Sequence, residues 1–200
     1  MTTITPTTVA LTRDYKDALV PVPGIYDIDA KHSSVEFVAR HLMISKVRGR
    51  FDDVSGTITV AEVPEESTVE VSIGADSVRT GEDQRDAHLR SGDFFDIETH
   101  PRWTFTSTAV KRDGDNWKVT GDLSIRGVTR PVVLDVEFDG ANATPWGTTA
   151  VGFSASTEID REDWGVTYNQ VLETGGVMVS KKIRIELQVE AGLRQETPAV

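Results

Sequence analysis

Between Asp29 and Phe51 the chain reads DAKHSSVEFVARHLMISKVRGRF, and its apolar residues recur at every second position. Val35, Phe37 and Ala39 alternate with Glu36 and Arg40. Val47, Gly49 and Phe51 then alternate with Lys46, Arg48 and Arg50. A period of two predicts strands with one buried face, because successive side chains point to opposite sides. His41 falls on the face of Phe37, near a strand end. The basic row Arg40, Lys46, Arg48 and Arg50 falls on the outer face.

The same period returns along the chain. Val69, Val71, Ile73 and Ala75 share a face, as do Trp103, Phe105 and Ser107. After a turn at Asp113–Asn116 come Trp117, Val119, Gly121, Leu123 and Ile125. After a second turn at Arg126–Arg130 come Val132, Leu134, Val136 and Phe138. Val151, Phe153, Ala155, Thr157 and Ile159 follow, and Ile183, Ile185, Leu187 and Val189 close the series. About eight strands at hairpin spacing predict an all-β antiparallel barrel or sandwich. The barrel is favoured, because closure removes the sheet edges that otherwise invite aggregation. Ser77–Asp96 lacks the two-residue period. Thr80 and Asp83 resemble a capping box, so a short helix is expected from about Glu82 to Arg90, with Gly92 where it stops. Residues 1–24, rich in Thr and Pro, read as an N-terminal extension with a short helical turn around Tyr15–Leu19. Residues 25–191 form the barrel domain and 192–200 a tail.

An eight-stranded barrel sits at a size threshold, where the interior is filled by side chains or holds one small ligand. Its candidate wall combines the aromatics Phe37, Phe51, Trp103, Phe105, Trp117, Phe138 and Phe153 with Val71, Ile73, Leu123, Leu134 and Ile185. Gly49, Gly121, Ala39, Ala75, Ala155 and Ser107 lie among them. The alternation fits a packed interior and a hollow one equally. A net charge of -11 argues against a nucleic acid as main partner. Cysteine is absent, which excludes disulfides and thiol catalysis. No apolar run approaches the length of a membrane span, and the first residues lack a secretory signal, so integral membrane association is not expected and the chain reads as cytoplasmic. There is no HxH, HExxH, GxSxG, P-loop or dinucleotide fingerprint, so no metal, cofactor or catalytic residue is assigned. Only Asp29, His32, His41 and His88 would converge on a metal through the fold.

Several short motifs run in order through this pattern: Asp29 with His32-Ser33, Val35, Phe37 and His41; Gly49 and Phe51; Arg85-Asp86 and His88-Leu89, leading into Asp93-Phe94-Phe95-Asp96. Further on come Pro101, Phe105 and Ser107; Gly121-Asp122-Leu123, Ile125, Gly127 and Thr129; and Ile159, Arg161, Asp163 and Gly165. From about Tyr26 to Glu190 the chain resembles the YceI-like family of lipocalin-like proteins. That resemblance implies an extended lipocalin-type barrel whose interior takes a long isoprenoid or alkyl chain. The expected function is a non-enzymatic carrier or sequestering protein. His41, Arg161 and Lys181 are the candidates to meet a ligand head group; by parity Lys181 points inward beside Val179 and Ile183, unless a bulge turns it out. Arg161 and Asp163 otherwise read as a salt-bridged corner. Two other functions stay open: a packed barrel acting as a structural or stress-associated interaction protein, and an isoprenoid-modifying enzyme using His41 or His88. Many relatives carry a secretion signal, which this chain lacks. The oligomeric state is open, a homodimer among the options.

Overall fold

In the computed structural model, residues 10–145, 147–171 and 176–195 are described. The chain opens with a hairpin, β1 (Thr12–Tyr15) and β2 (Ala18–Pro21), in place of the expected helical turn. Lys16 and Asp17 both take positive φ, which makes a two-residue hairpin turn without a glycine. The hairpin buries Val20, only 2% exposed.

The barrel strands follow: β3 (Gly24–Ile28), β4 (Ser34–His41), β5 (Ser45–Phe51), β6 (Val54–Val60), β7 (Thr68–Gly74) and β8 (Val78–Arg79). After helix α1 (Asp83–Arg90) come β9 (Arg102–Asp113), β10 (Asn116–Ile125), β11 (Val128–Ala143), β12 (Thr149–Asp160) and β13 (Lys182–Leu193). All pairings are antiparallel. β13 pairs along one edge with β12 and along the other with β4 and β3, which closes the sheet. Three of the eight strand paths around the barrel are broken in the middle: β3 continues into β4, β5 into β6, and β7 into β8. The expected eight-stranded barrel with one short helix is therefore present. The sequence pattern had missed β3, β6 and the two-residue β8. β6 reads VSGTITV, and Gly56 interrupts its apolar face because a Cβ there would lie 2.2 Å from Glu70 O.

The breaks are fastened by side chains. Between β3 and β4, Asp29 accepts from Lys31 N and from His32 Nδ1, and the Ser33 hydroxyl bonds both N–H and C=O of Glu190 on β13. Asp29 and His32 thus cap a turn. The helix differs in one detail. Its N-cap is Glu82, whose carboxylate accepts from Gln84 N and Arg85 N, while Thr80 bonds the buried Asp86. Ser91, in extended conformation, ends the helix ahead of Gly92.

Close cross-strand contacts explain two glycines. The Phe37 ring lies over Gly49, its register partner, and the Phe105 ring over Gly121. A Cβ on Gly49 would come within 2.3 Å of Phe37 Cζ and 2.9 Å of Thr80 Cγ2. Gly49→Ala is therefore expected to cost about 1–3 kcal/mol through forced displacement of Phe37, measurable by urea denaturation.

Candidate functional site

The strands turn their apolar faces onto a cavity of about 300 Å³ that runs through the barrel. One end is covered by Val20 and Pro21 of the β1–β2 hairpin and by Pro64. The other is covered by Leu89 of α1, by Phe94 and Phe95 after it, and by Trp164 and Val166 after β12. Trp164 is held there by a hydrogen bond from Nε1 to Leu123 O at 3.0 Å.

The wall divides into two parts. Around Phe51 the packing is solid. Its ring centroid lies 4.9 Å from Trp103, 5.9 Å from Phe95 and 5.8 Å from Phe37. On β11, β12 and β13 the inward residues Leu134, Val136, Phe138, Phe153, Ala155, Ile183, Ile185 and Leu187 are only half-buried although they face the interior. In a filled core such residues lose nearly all exposure. All eight line the cavity.

All twelve residues expected in the wall line this cavity. The three head-group candidates are placed differently. Arg161 lines the cavity at 6% exposure. It does not form the salt-bridged corner expected with Asp163. Instead Nε donates to Ser180 O at 3.0 Å and one terminal nitrogen to Val166 O at 2.5 Å. Its other terminal nitrogen is buried with no partner among the described residues. Burial pulls its pKa below the usual guanidinium value, opposed by the nearby Glu162 and Asp160. Lys181 turns outward, against the parity expectation. Its ammonium pairs with Glu162 at 2.7 Å, which holds its pKa above the ordinary lysine value. The parity fails because β13 begins only at Lys182, and the backbone at Lys181 instead accepts from Arg161 N. His41 sits half-buried at the end of β4, bridged to Val179, outside the cavity lining.

Sequence periodicity missed the covers, since Leu89, Phe94, Phe95, Trp164 and Val166 lie outside the strands. The adjacent Phe94-Phe95 in a segment without a two-residue period was the one available signal. The four residues named as able to converge on a metal do not meet. Asp29 and His32 gather with Glu190 at an exposed site, while His88 pairs with Asp93. Asp29 raises the pKa of His32 and is itself lowered by it. This accounts for the group as a surface ion pair.

A YceI-like domain model matches residues 26–191. The chain belongs to the YceI-like family. It is 38% identical over 173 residues to a UPF0312 protein of Staphylococcus aureus, an alignment covering 85% of this chain and 98% of that one. Among solved structures, BcnA of Burkholderia cenocepacia superposes with a TM-score of 0.72 at 22% identity, covering 82% of this chain and 98% of that one. A polyisoprenoid-binding domain from Saccharophagus degradans superposes with a TM-score of 0.62 at 21% identity, covering 84% and 98%. At these identities the structural matches carry the fold. The YceI-like motifs in this chain mostly fasten it. Ser33 ties β4 to β13, and Asp86 ties α1 to Thr80. Gly127 takes φ +73° where a Cβ would meet His100 at 2.8 Å, and Gly165, also at positive φ, ends the turn after Arg161. Among the described residues no helix is long and apolar enough to cross a membrane.

Proposed function

We propose that this protein binds a long apolar molecule, of isoprenoid or alkyl type, inside the barrel and carries or sequesters it without chemical change. One observation carries the reading: an apolar cavity of about 300 Å³ with a half-exposed inner wall. Left empty, a void of that size would cost about 7 kcal/mol at the roughly 24 cal/mol per Å³ found for engineered cavities. That rivals the whole stability of a typical domain, about 5–15 kcal/mol. A lipid chain removes the penalty and adds about 0.8 kcal/mol per buried CH₂. The volume is at the lower end of the range for ligand pockets, roughly 300–1,000 Å³. The Saccharophagus domain of the same fold is described as binding polyisoprenoid, which supports choosing that ligand class first. The same observation disfavours a packed-core interaction protein.

Arg161, rather than His41 or Lys181, is proposed to meet a polar head. It alone of the three lines the cavity, and it has a buried donor to spare, the kind of group that calls for a partner. Solvent extraction of the purified protein followed by mass spectrometry tests the main reading. An apolar mass of a few hundred daltons or more is expected. A clean apo protein whose melting temperature ignores farnesol and longer polyprenols would sink it. Arg161→Lys keeps the charge but loses the guanidinium fork. It is expected to weaken farnesyl pyrophosphate about ten-fold relative to farnesol, read by calorimetry. Equal losses for both would remove Arg161 from the head-group role. Arg161→Met leaves two buried carbonyls unsatisfied and is expected to cost about 2–4 kcal/mol of stability.

A further inference from the structure

The turn between β4 and β5 runs against its own backbone chemistry. Leu42 and Met43 take φ of 52° and 59°, and Ile44 N donates to His41 O at 3.0 Å. His41 pairs with Ser45, and within this three-residue loop a β-turn with both central residues in the left-handed region favours Asn–Gly. Bulky side chains there are outliers held at a cost. The comparable turns at Lys16–Asp17 and Arg126–Gly127 carry polar residues or glycine. Nor does burial repay Leu42 and Met43: Leu42 is 37% exposed, Met43 54% and Ile44 82%. Val171 stands nearby at 84%. The backbone links them, since Leu42 N donates to Met178 O and Val171 pairs with Val177. Four large apolar side chains thus project into water from one rim of the barrel.

Charge indicates what they meet. Arg40 and Lys46 are register partners at the base of the turn, both exposed, and neither forms an ion pair among the described residues. Their neighbours Arg48 and Arg50 are engaged by Glu186 and Asp52. Two unpaired cations behind an apolar tip, in a chain of net charge -11, form a local exception to an acidic surface. An apolar tip backed by cations matches the interface of an anionic bilayer, where apolar groups enter the acyl boundary and cations meet phosphates. The same β4 places Phe37 and Ala39 in the cavity wall, and Val179, bridged to His41, lines it too.

We propose that the Leu42–Ile44 turn, with Val171, Arg40 and Lys46, docks the protein on anionic lipid bilayers. The docking surface holds one end of the barrel against the membrane. Docking is separable from cavity binding, so a protein that proved to carry no cargo would leave this proposal standing.

Flotation with vesicles of phosphatidylcholine alone and of phosphatidylcholine mixed with phosphatidylglycerol tests it. The protein is expected to float with the mixed vesicles, less at high salt, and poorly with the neutral ones. Met43→Ser combined with Ile44→Ser is expected to lower partitioning at least ten-fold. Arg40→Glu and Lys46→Glu should each lower it about five-fold or more. Leu42→Asn with Met43→Gly gives the turn its preferred residues, so it should raise the melting temperature while reducing vesicle binding. A purely structural turn would gain the stability and lose nothing. The proposal is overturned if the wild-type protein ignores the mixed vesicles, or if the Asn–Gly variant binds them as well as wild type does. It is also overturned if light scattering shows a dimer that Ile44→Ser splits, which would assign the tip to a second copy of the chain.

Discussion

Ala155→Trp is expected to abolish ligand-dependent stabilisation while leaving the barrel folded. Ala155 lies on β12 between Val136 and Leu187 in register, half-buried, with its side chain toward the cavity. An indole there enters a void rather than a packed core, so the usual overpacking penalty does not apply. A ligand present at a hundred times its Kd stabilises the native state by about 2.7 kcal/mol. For a chain of this size that is a melting shift of roughly 5–10 °C. Scanning fluorimetry with farnesol and with a longer polyprenol should show that shift in the wild type and almost none in the variant. A variant that keeps the full shift would place the ligand outside the barrel.

Phe51→Ala is expected to cost about 3–5 kcal/mol, the range for a large aromatic removed from a close-packed core. Phe51 is 5% exposed and in ring contact with Trp103, Phe95 and Phe37. Phe153→Ala is the informative partner. That ring touches Phe138 at 5.4 Å but borders the cavity and is only half-buried. Its loss should be less than half as large by urea denaturation. Equal losses would mean the wall at β12 is as tightly packed as the wall at Phe51.

These two phenylalanines also mark the limit of what the sequence shows. Both fall on the inward parity of their strands, and parity was enough to find every strand from β9 to β13 and the wall residues on them. Parity gives direction only. It does not say what lies across the barrel, so Phe51 in a solid cluster and Phe153 beside a void look alike in the pattern. Lys181 shows the opposite failure, where counting by two continued past the first residue of a strand. The β1–β2 hairpin was hidden because its turn uses Lys16 and Asp17 rather than glycine. Arg161 lines the cavity, but its partners are two backbone carbonyls, which no sequence pattern displays. The Leu42–Ile44 turn falls between the two alternating runs, and its apolar residues carry no glycine, proline or asparagine to mark it as a turn.

The double pairing of β13 has a consequence for the order in which this chain is made. β13 meets β12 on one side and the first barrel strands, β3 and β4, on the other. Until it has been synthesised, the other strands can form only an open sheet, with the inner face of β4 uncovered and two unpaired edges. Closure then joins segments from opposite ends of the polypeptide, the kind of distant contact that folds slowly. A nascent chain stalled before Lys182 is therefore the form most in need of a chaperone, and the form a ribosome-bound protease assay should find most sensitive.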